Sequence, residues 1–136
     1  MPSTPPTQAT LVAIRAAHHA ETTPTYDRVV FEFSGQMPLL RIEYVKKLIG
    51  DGSGLPVPIA GRVILLVQFT PARAHSDGGQ ATAPNTMTPK LPLVKAIVSA
   101  GDFEGVVTYG IGLGRKVDTR ILTMDNPNRL VIDFLG

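Results

Sequence analysis

Asp27-Arg28-Val29-Val30-Phe31-Glu32-Phe33 and Asn128-Arg129-Leu130-Val131-Ile132-Asp133-Phe134 match position by position across almost the full length of the chain. Arg, Val and Phe recur at equivalent places, and the other positions differ conservatively. In an extended strand successive side chains point to opposite faces. Each copy therefore has one apolar face and one face that alternates arginine with an acid. As parallel neighbours in register, the two would set Arg28 beside Arg129, which is unfavourable. As an antiparallel pair with Val30 opposite Val131, they set Arg28 against Asp133, Glu32 against Arg129, Val29 against Ile132 and Phe31 against Leu130. The other arrangement open to them is two amphipathic strands in different sheets.

Outward from these segments the same period continues. Thr10–Ala17 alternates, as does Leu39–Val45, where Leu40, Ile42 and Tyr44 oppose Arg41 and Glu43. Arg62–Phe69 is apolar on both faces, as a central strand covered on both sides would be. Leu93–Ser99, Val106–Ile111, Val117–Thr123 and Arg129–Leu135 bring the total to about eight short strands bounded by turn residues, a pattern of sandwiches and barrels. Apolar spacing of three and four is absent over any long stretch, so little helix is expected. The expected fold is an all-β sandwich, with Val29, Phe31, Phe33, Ile42, Val63, Leu65, Val67, Val98, Ile121, Leu130, Ile132 and Phe134 in its core. Gly50–Gly54 supplies a tight reversal. Pro71–Pro89 reads as a long, polar, mobile or extended loop.

Composition narrows the function. At 136 residues and 43% hydrophobic content the chain makes one packed domain, residues 10–136, behind a Pro/Thr-rich tail at residues 1–9. A formal charge of +2 is too small to argue for nucleic acid. The aliphatic run Val63–Val67 is far short of the ~20 residues of a spanning helix, so no membrane span is expected. The absence of cysteine removes disulfides, thiolate metal sites and cysteine nucleophiles.

Catalytic readings are thin. Of the 3 histidines, His18 and His19 are adjacent, and on a strand they point to opposite faces, so they do not chelate one metal together. Gly52-Ser53-Gly54 lacks the strand-to-helix frame of a nucleophile elbow. Gly110-Ile111-Gly112-Leu113-Gly114-Arg115-Lys116 lacks phosphate-loop spacing and a following helix; it reads as a strand end entering a bend, with glycines that permit close backbone approach. Asp102 and Glu104 sit on a Gly-bounded turn with nothing to raise one pKa for glycosidase chemistry. No catalytic residue, metal or cofactor is expected.

The segment Tyr26–Phe33, Tyr44-Val45 followed by Asp51-Gly52-Ser53-Gly54, Gly101-Asp102-Phe103-Glu104-Gly105-Val106, Gly110-Ile111-Gly112-Leu113 and the ending Asn126-Pro127-Asn128-Arg129-Leu130-Val131-Ile132-Asp133 together resemble the AMIN-like domains of actinobacterial envelope proteins. The closing run is similar to the Pro-x-Arg-Leu-Val-Ile-Asp end of AMIN domains in general. The resemblance covers Thr10 to the C-terminus. It implies two small, mainly antiparallel sheets packed as a sandwich, an extracytoplasmic location in the cell envelope and a non-catalytic module that binds peptidoglycan or another wall glycan. The alternative it leaves is a protein–protein adaptor that offers an exposed sheet edge to an envelope protein. The chain departs from the lipoprotein pattern in lacking a lipobox cysteine; export is expected to rely on a signal or anchor that this sequence does not carry.

Tyr109, Arg115 and Lys116 are the expected ligand-binding residues, with Tyr44 as a second aromatic. A tyrosine ring stacks on a sugar face and cations meet pendant carboxylates. Arg28, Glu32, Arg129 and Asp133 form either a structural ion-pair ladder, at about 0–1 kcal/mol per exposed pair, or an alternating row of donors and acceptors for a ligand.

Overall fold

A computed structural model describes residues 8–136; the expected tail at residues 1–9 falls mostly outside them. The ten strands are β1 (Ala9–His19), β2 (Tyr26–Ser34), β3 (Leu39–Val45), β4 (Val63–Thr70), β5 (Ala72–Arg73), β6 (Thr86–Met87), β7 (Val94–Phe103), β8 (Val106–Leu113), β9 (Thr119–Met124) and β10 (Asn128–Leu135). They form two sheets of five, in the orders β5-β1-β2-β10-β9 and β3-β4-β8-β7-β6. Every pairing is antiparallel except the short one between β1 and β5. There is no helix among the described residues, so the fold is the all-β sandwich that the alternation demands.

The two echoed segments are β2 and β10, and they are antiparallel neighbours. Val30 lies opposite Val131, Arg28 opposite Asp133, Glu32 opposite Arg129 and Phe31 opposite Leu130. Their apolar faces supply Val29, Phe31, Phe33, Leu130, Ile132 and Phe134 to the core. From the second sheet, Leu65, Val67 and Phe69 of β4 and Val107, Tyr109, Ile111 and Leu113 of β8 meet them. Phe31 packs on Phe69 at 5.1 Å between centroids and edge-on against Tyr109 at 5.8 Å; Phe33 meets Phe69 edge-on at 4.8 Å. These tilted geometries suit the aromatic quadrupole.

Four expected core positions differ. Ile121 is 45% exposed because β9 is the edge of its sheet, and little of the opposite sheet reaches over it. Val98 faces outward opposite Gly110. A register irregularity between Val94 and Ala96 reverses the phase of β7, so Ile97 enters the core instead. Ile42 and Val63 are half-buried and pack against the rim of the core. Pro71–Pro89 is also not featureless. It contains β5 and β6, buries Ala72, Ala74 and Ala83, and is tied by the Thr82 hydroxyl donating to Leu11 O at 2.7 Å. Alanines small enough to enter the core give this polar stretch something to bury.

Along β8 the outer face of the second sheet is roofed by residues 46–62. Leu48 is buried there, Gly50 N donates to Leu55 O at 2.9 Å and Asp51 N to Ala100 O at 2.8 Å. The roof explains the glycines of β8. A Cβ on Gly110 would stand 2.7 Å from the Leu48 side chain, and one on Gly112 would run into the Ala60 carbonyl. Thr108, between the roof and the sheet, donates to Asp51 Oδ2 at 2.7 Å and accepts from Gln68 Nε2 at 3.1 Å.

Candidate binding site

After Leu113 the chain leaves the second sheet and reaches the first at Thr119. Gly114 N donates to Leu93 O at 2.9 Å, which holds the start of this crossing. Val117 packs inward against the core, while Arg115 and Lys116 are exposed, because no acid waits inside to receive them. Tyr44, near the end of β3, donates its hydroxyl to Val117 O at 2.9 Å. Burial raises the Tyr44 phenol above its ordinary pKa, so it stays a neutral donor. The Lys116 ammonium lies over the Tyr44 ring, 5.0 Å from its centroid, within cation–π range. Arg115, Lys116, Val117, Asp118 and Leu135 line an open depression of about 440 Å³ beside this pair. Arg115 Nη2 donates to Gly136 O at 3.3 Å on its rim. Arg115 and Lys116 thus put two cations on this open site, beside the acid Asp118.

Tyr44, Arg115 and Lys116 are thus brought together, but Tyr109 is not among them. Its ring points the other way, into the core, with 1% exposure, and its hydroxyl donates to Pro84 O at 2.7 Å. Burial pushes its pKa up to about 12. It cannot stack on a sugar. The strand period explains this: Tyr109 shares its face with Val107 and Ile111, whereas the basic residues lie beyond the strand end.

The arginine and acid positions form one cluster and two separate contacts. Asp133 is fully buried and receives two guanidiniums. Arg28 donates through Nε at 2.7 Å and Nη2 at 3.0 Å, and Arg120 through Nε at 2.9 Å and Nη2 at 2.7 Å. Burial alone would raise the Asp133 carboxyl, but the hydrogen bonds from Arg28 and Arg120 outweigh it and hold the group below the ordinary carboxylate value. Both guanidiniums also lie over the Tyr26 ring, at 5.4 and 5.2 Å, and His19 stacks on that ring at 4.8 Å. Glu32 and Arg129 are opposite in register but do not bond each other. Glu32 takes Arg15 at 2.9 Å, and Arg129 turns back to the carbonyls of Asp125 and Pro127, because the tight turn before β10 brings those oxygens closer.

Arg120 and Asp27 carry weight that the sequence reading did not assign. Arg120 was legible by counting outward from the Asp125–Pro127 turn, which sets it opposite Asp133. Asp27 stands in phase with Val29 and Phe31, and an acid on an apolar face must find donors. It finds Leu93 N at 2.7 Å, Val94 N at 2.9 Å and His18 Nδ1 at 2.7 Å, which staples β2 to the start of β7 in the opposite sheet. His19 turns to the other face, with Nδ1 2.7 Å from Glu21. His75 lies 2.6 Å from Asp102. Glu104 and Gly105 form the two-residue turn of the β7–β8 hairpin, both at positive φ, 52° and 81°, as a type I′ turn requires. No group of three or more metal-ligating side chains converges among the described residues.

The described residues form a small all-β sandwich with an open depression that carries Arg115 and Lys116. The family model for the AMIN-like domain matches residues 9–136, and the chain belongs to that family. No curated protein matches it. Membership makes it a cell-wall-related domain of a generally non-catalytic kind, working in the cell envelope. No helix among the described residues is long and apolar enough to cross a membrane.

Proposed function

We propose that this domain binds peptidoglycan or a related wall glycan, and that it does so at the depression beside Tyr44. The observation that carries the reading is the joint placement of Arg115 and Lys116 on one open depression, with the Lys116 ammonium held over the Tyr44 ring. Because the ammonium already covers the ring, the cations lead recognition and Tyr44 positions Lys116. The ligand feature that fits best is therefore a carboxylate borne on the polymer, with the sugar lying along Val117 and Leu135. A shallow site of this kind gains affinity from repetition along the polymer rather than from one deep pocket, and salt screens its exposed contacts.

Retention on purified, protein-free sacculi tests this. The double change Arg115→Ala, Lys116→Ala is expected to lower the retained fraction several-fold at low salt and leave the thermal midpoint nearly unchanged. Equal retention of parent and variant at both low and high salt would rule out this surface. The adaptor reading would then lead. It is favoured by β9, an edge strand whose Ile121, Leu122 and Met124 are all exposed, and it expects retention on crude envelope but not on bare sacculi.

A further inference from the structure

The second sheet ends at β3, whose far edge receives no backbone hydrogen bond among the described residues. Natural proteins cover, shorten or charge such an edge, because it templates pairing with another strand. This one is seven residues long and begins with Leu39, 76% exposed. Its centre reads Leu40-Arg41-Ile42-Glu43-Tyr44, a pattern that complements itself when reversed. We propose that β3 pairs antiparallel with β3 of a second copy of this chain, with Ile42 on the two-fold axis.

In that register Arg41 of each copy lies opposite Glu43 of the other, on an exposed face where the two side chains now pair within one strand at 2.6 Å, with 61% and 46% exposure. Opposite charges directly across an antiparallel pair are the favourable arrangement. On the inner face Ile42 meets its symmetry mate and Leu40 meets Tyr44. All three are half-buried now and rest against the rim of the core, so the second copy completes their cover. Leu39 meets Val45. An isologous two-fold contact of this kind closes on itself and forms a dimer, not a filament.

The other long edge fits a second copy less well. Pairing β9 with itself about Ile121 and Leu122 would set Asp118 against Asp125, and Arg120 is already engaged by Asp133. β5 and β6 are two residues each. The β3 dimer also has a consequence for binding. The two Tyr44 residues fall four residue steps apart along the seam, ~14 Å at about 3.4 Å per step, so two cationic depressions flank one interface and can engage one polymer.

Sedimentation equilibrium on the whole chain from micromolar to millimolar concentration tests the proposal independently of any ligand. The parent is expected to be in monomer–dimer exchange. Arg41→Glu and Glu43→Arg each replace two attractive cross-strand contacts by repulsive ones and are expected to weaken self-association on the order of tenfold or more. An equimolar mixture of these two variants is expected to associate again, since each then faces its opposite. The double exchange Arg41→Glu, Glu43→Arg is expected to dimerise like the parent. Circular dichroism and thermal midpoints of all variants check that these exposed changes leave the fold intact. A parent that stays monomeric throughout, single variants that dimerise like the parent, or a mixture that stays monomeric would each overturn it.

Discussion

The outer face of the first sheet turns Arg28, Val30, Glu32 and Arg129 toward solvent, whereas the outer face of the second lies under residues 46–62 along β8. The open face solves its charge problem side chain by side chain: Asp133 is submerged beneath two guanidiniums and a tyrosine ring. The roofed face solves its problem by deleting side chains, with Gly110 and Gly112 flush against Leu48 and Ala60 and Thr108 turned into an anchor for Asp51. The first sheet therefore tolerates substitution outside its ion cluster, whereas the roofed strand β8 does not. The same division explains why the candidate ligand surface sits at neither face but on the crossing between them, where Arg115 and Lys116 meet no cover.

The strongest way to break this comparison is Gly112→Ala. A Cβ there collides with backbone, which cannot swing aside, so the loss is expected near the top of the overpacking range, about 3 kcal/mol. A denaturant midpoint close to the parent's would show that the roof is not seated on β8. Leu48→Ala empties the roof's buried anchor and is expected to cost about 2–3 kcal/mol by the same measurement.

Asp133→Asn tests the open face. Removing one partner of a fully buried ion pair costs about 3–5 kcal/mol; here both arginines reach water, with 32% and 48% of their side chains exposed, and about 2 kcal/mol is expected. The pH dependence sharpens it. Folding lowers the Asp133 pKa, so its contribution is complete above the unfolded-state value of about 4 and is lost as pH falls through the folded-state value. Stability measured down that acid range should fall less steeply in Asp133→Asn than in the parent. Ala17→Val, exposed on the same face opposite Arg28, is expected to change stability by less than about 0.5 kcal/mol. A larger loss would mean that the open face is as tightly covered as the roofed one.

Much of the fold was legible because the β-strand has a period of two, and a strand with one buried face must display it. Phe31 and Phe134 announced themselves through that period, and cross-strand charge favoured the observed register of β2 on β10 while leaving open whether the two strands pair. Ile121 was misread for lack of a non-local fact, namely that its strand ends a sheet. Val98 was misread because an extra residue in β7 shifts phase without changing composition. At the candidate site, Arg115 and Lys116 were visible as charges that a core would reject, and Tyr44 as the aromatic near a strand end. Tyr109 looked equivalent from proximity in sequence alone, although its parity with Val107 and Ile111 already argued for the interior.

By itself the sequence determined what local chemistry dictates: all-β structure from alternation, a Gly-bounded turn before Val106, the absence of cysteine chemistry, and the register that two echoed strands take when they pair. Only the tertiary structure decided which faces were covered. Gly110 and Gly112 became a landing surface because residues 46–62 fold onto them, Asp27 became an inter-sheet staple because β7 begins beside it, and Lys116 came to rest on Tyr44 across some seventy residues of chain. Those outcomes depend on how two sheets stack, and stacking is set by volumes and contacts summed over the whole core, which no single segment of sequence contains.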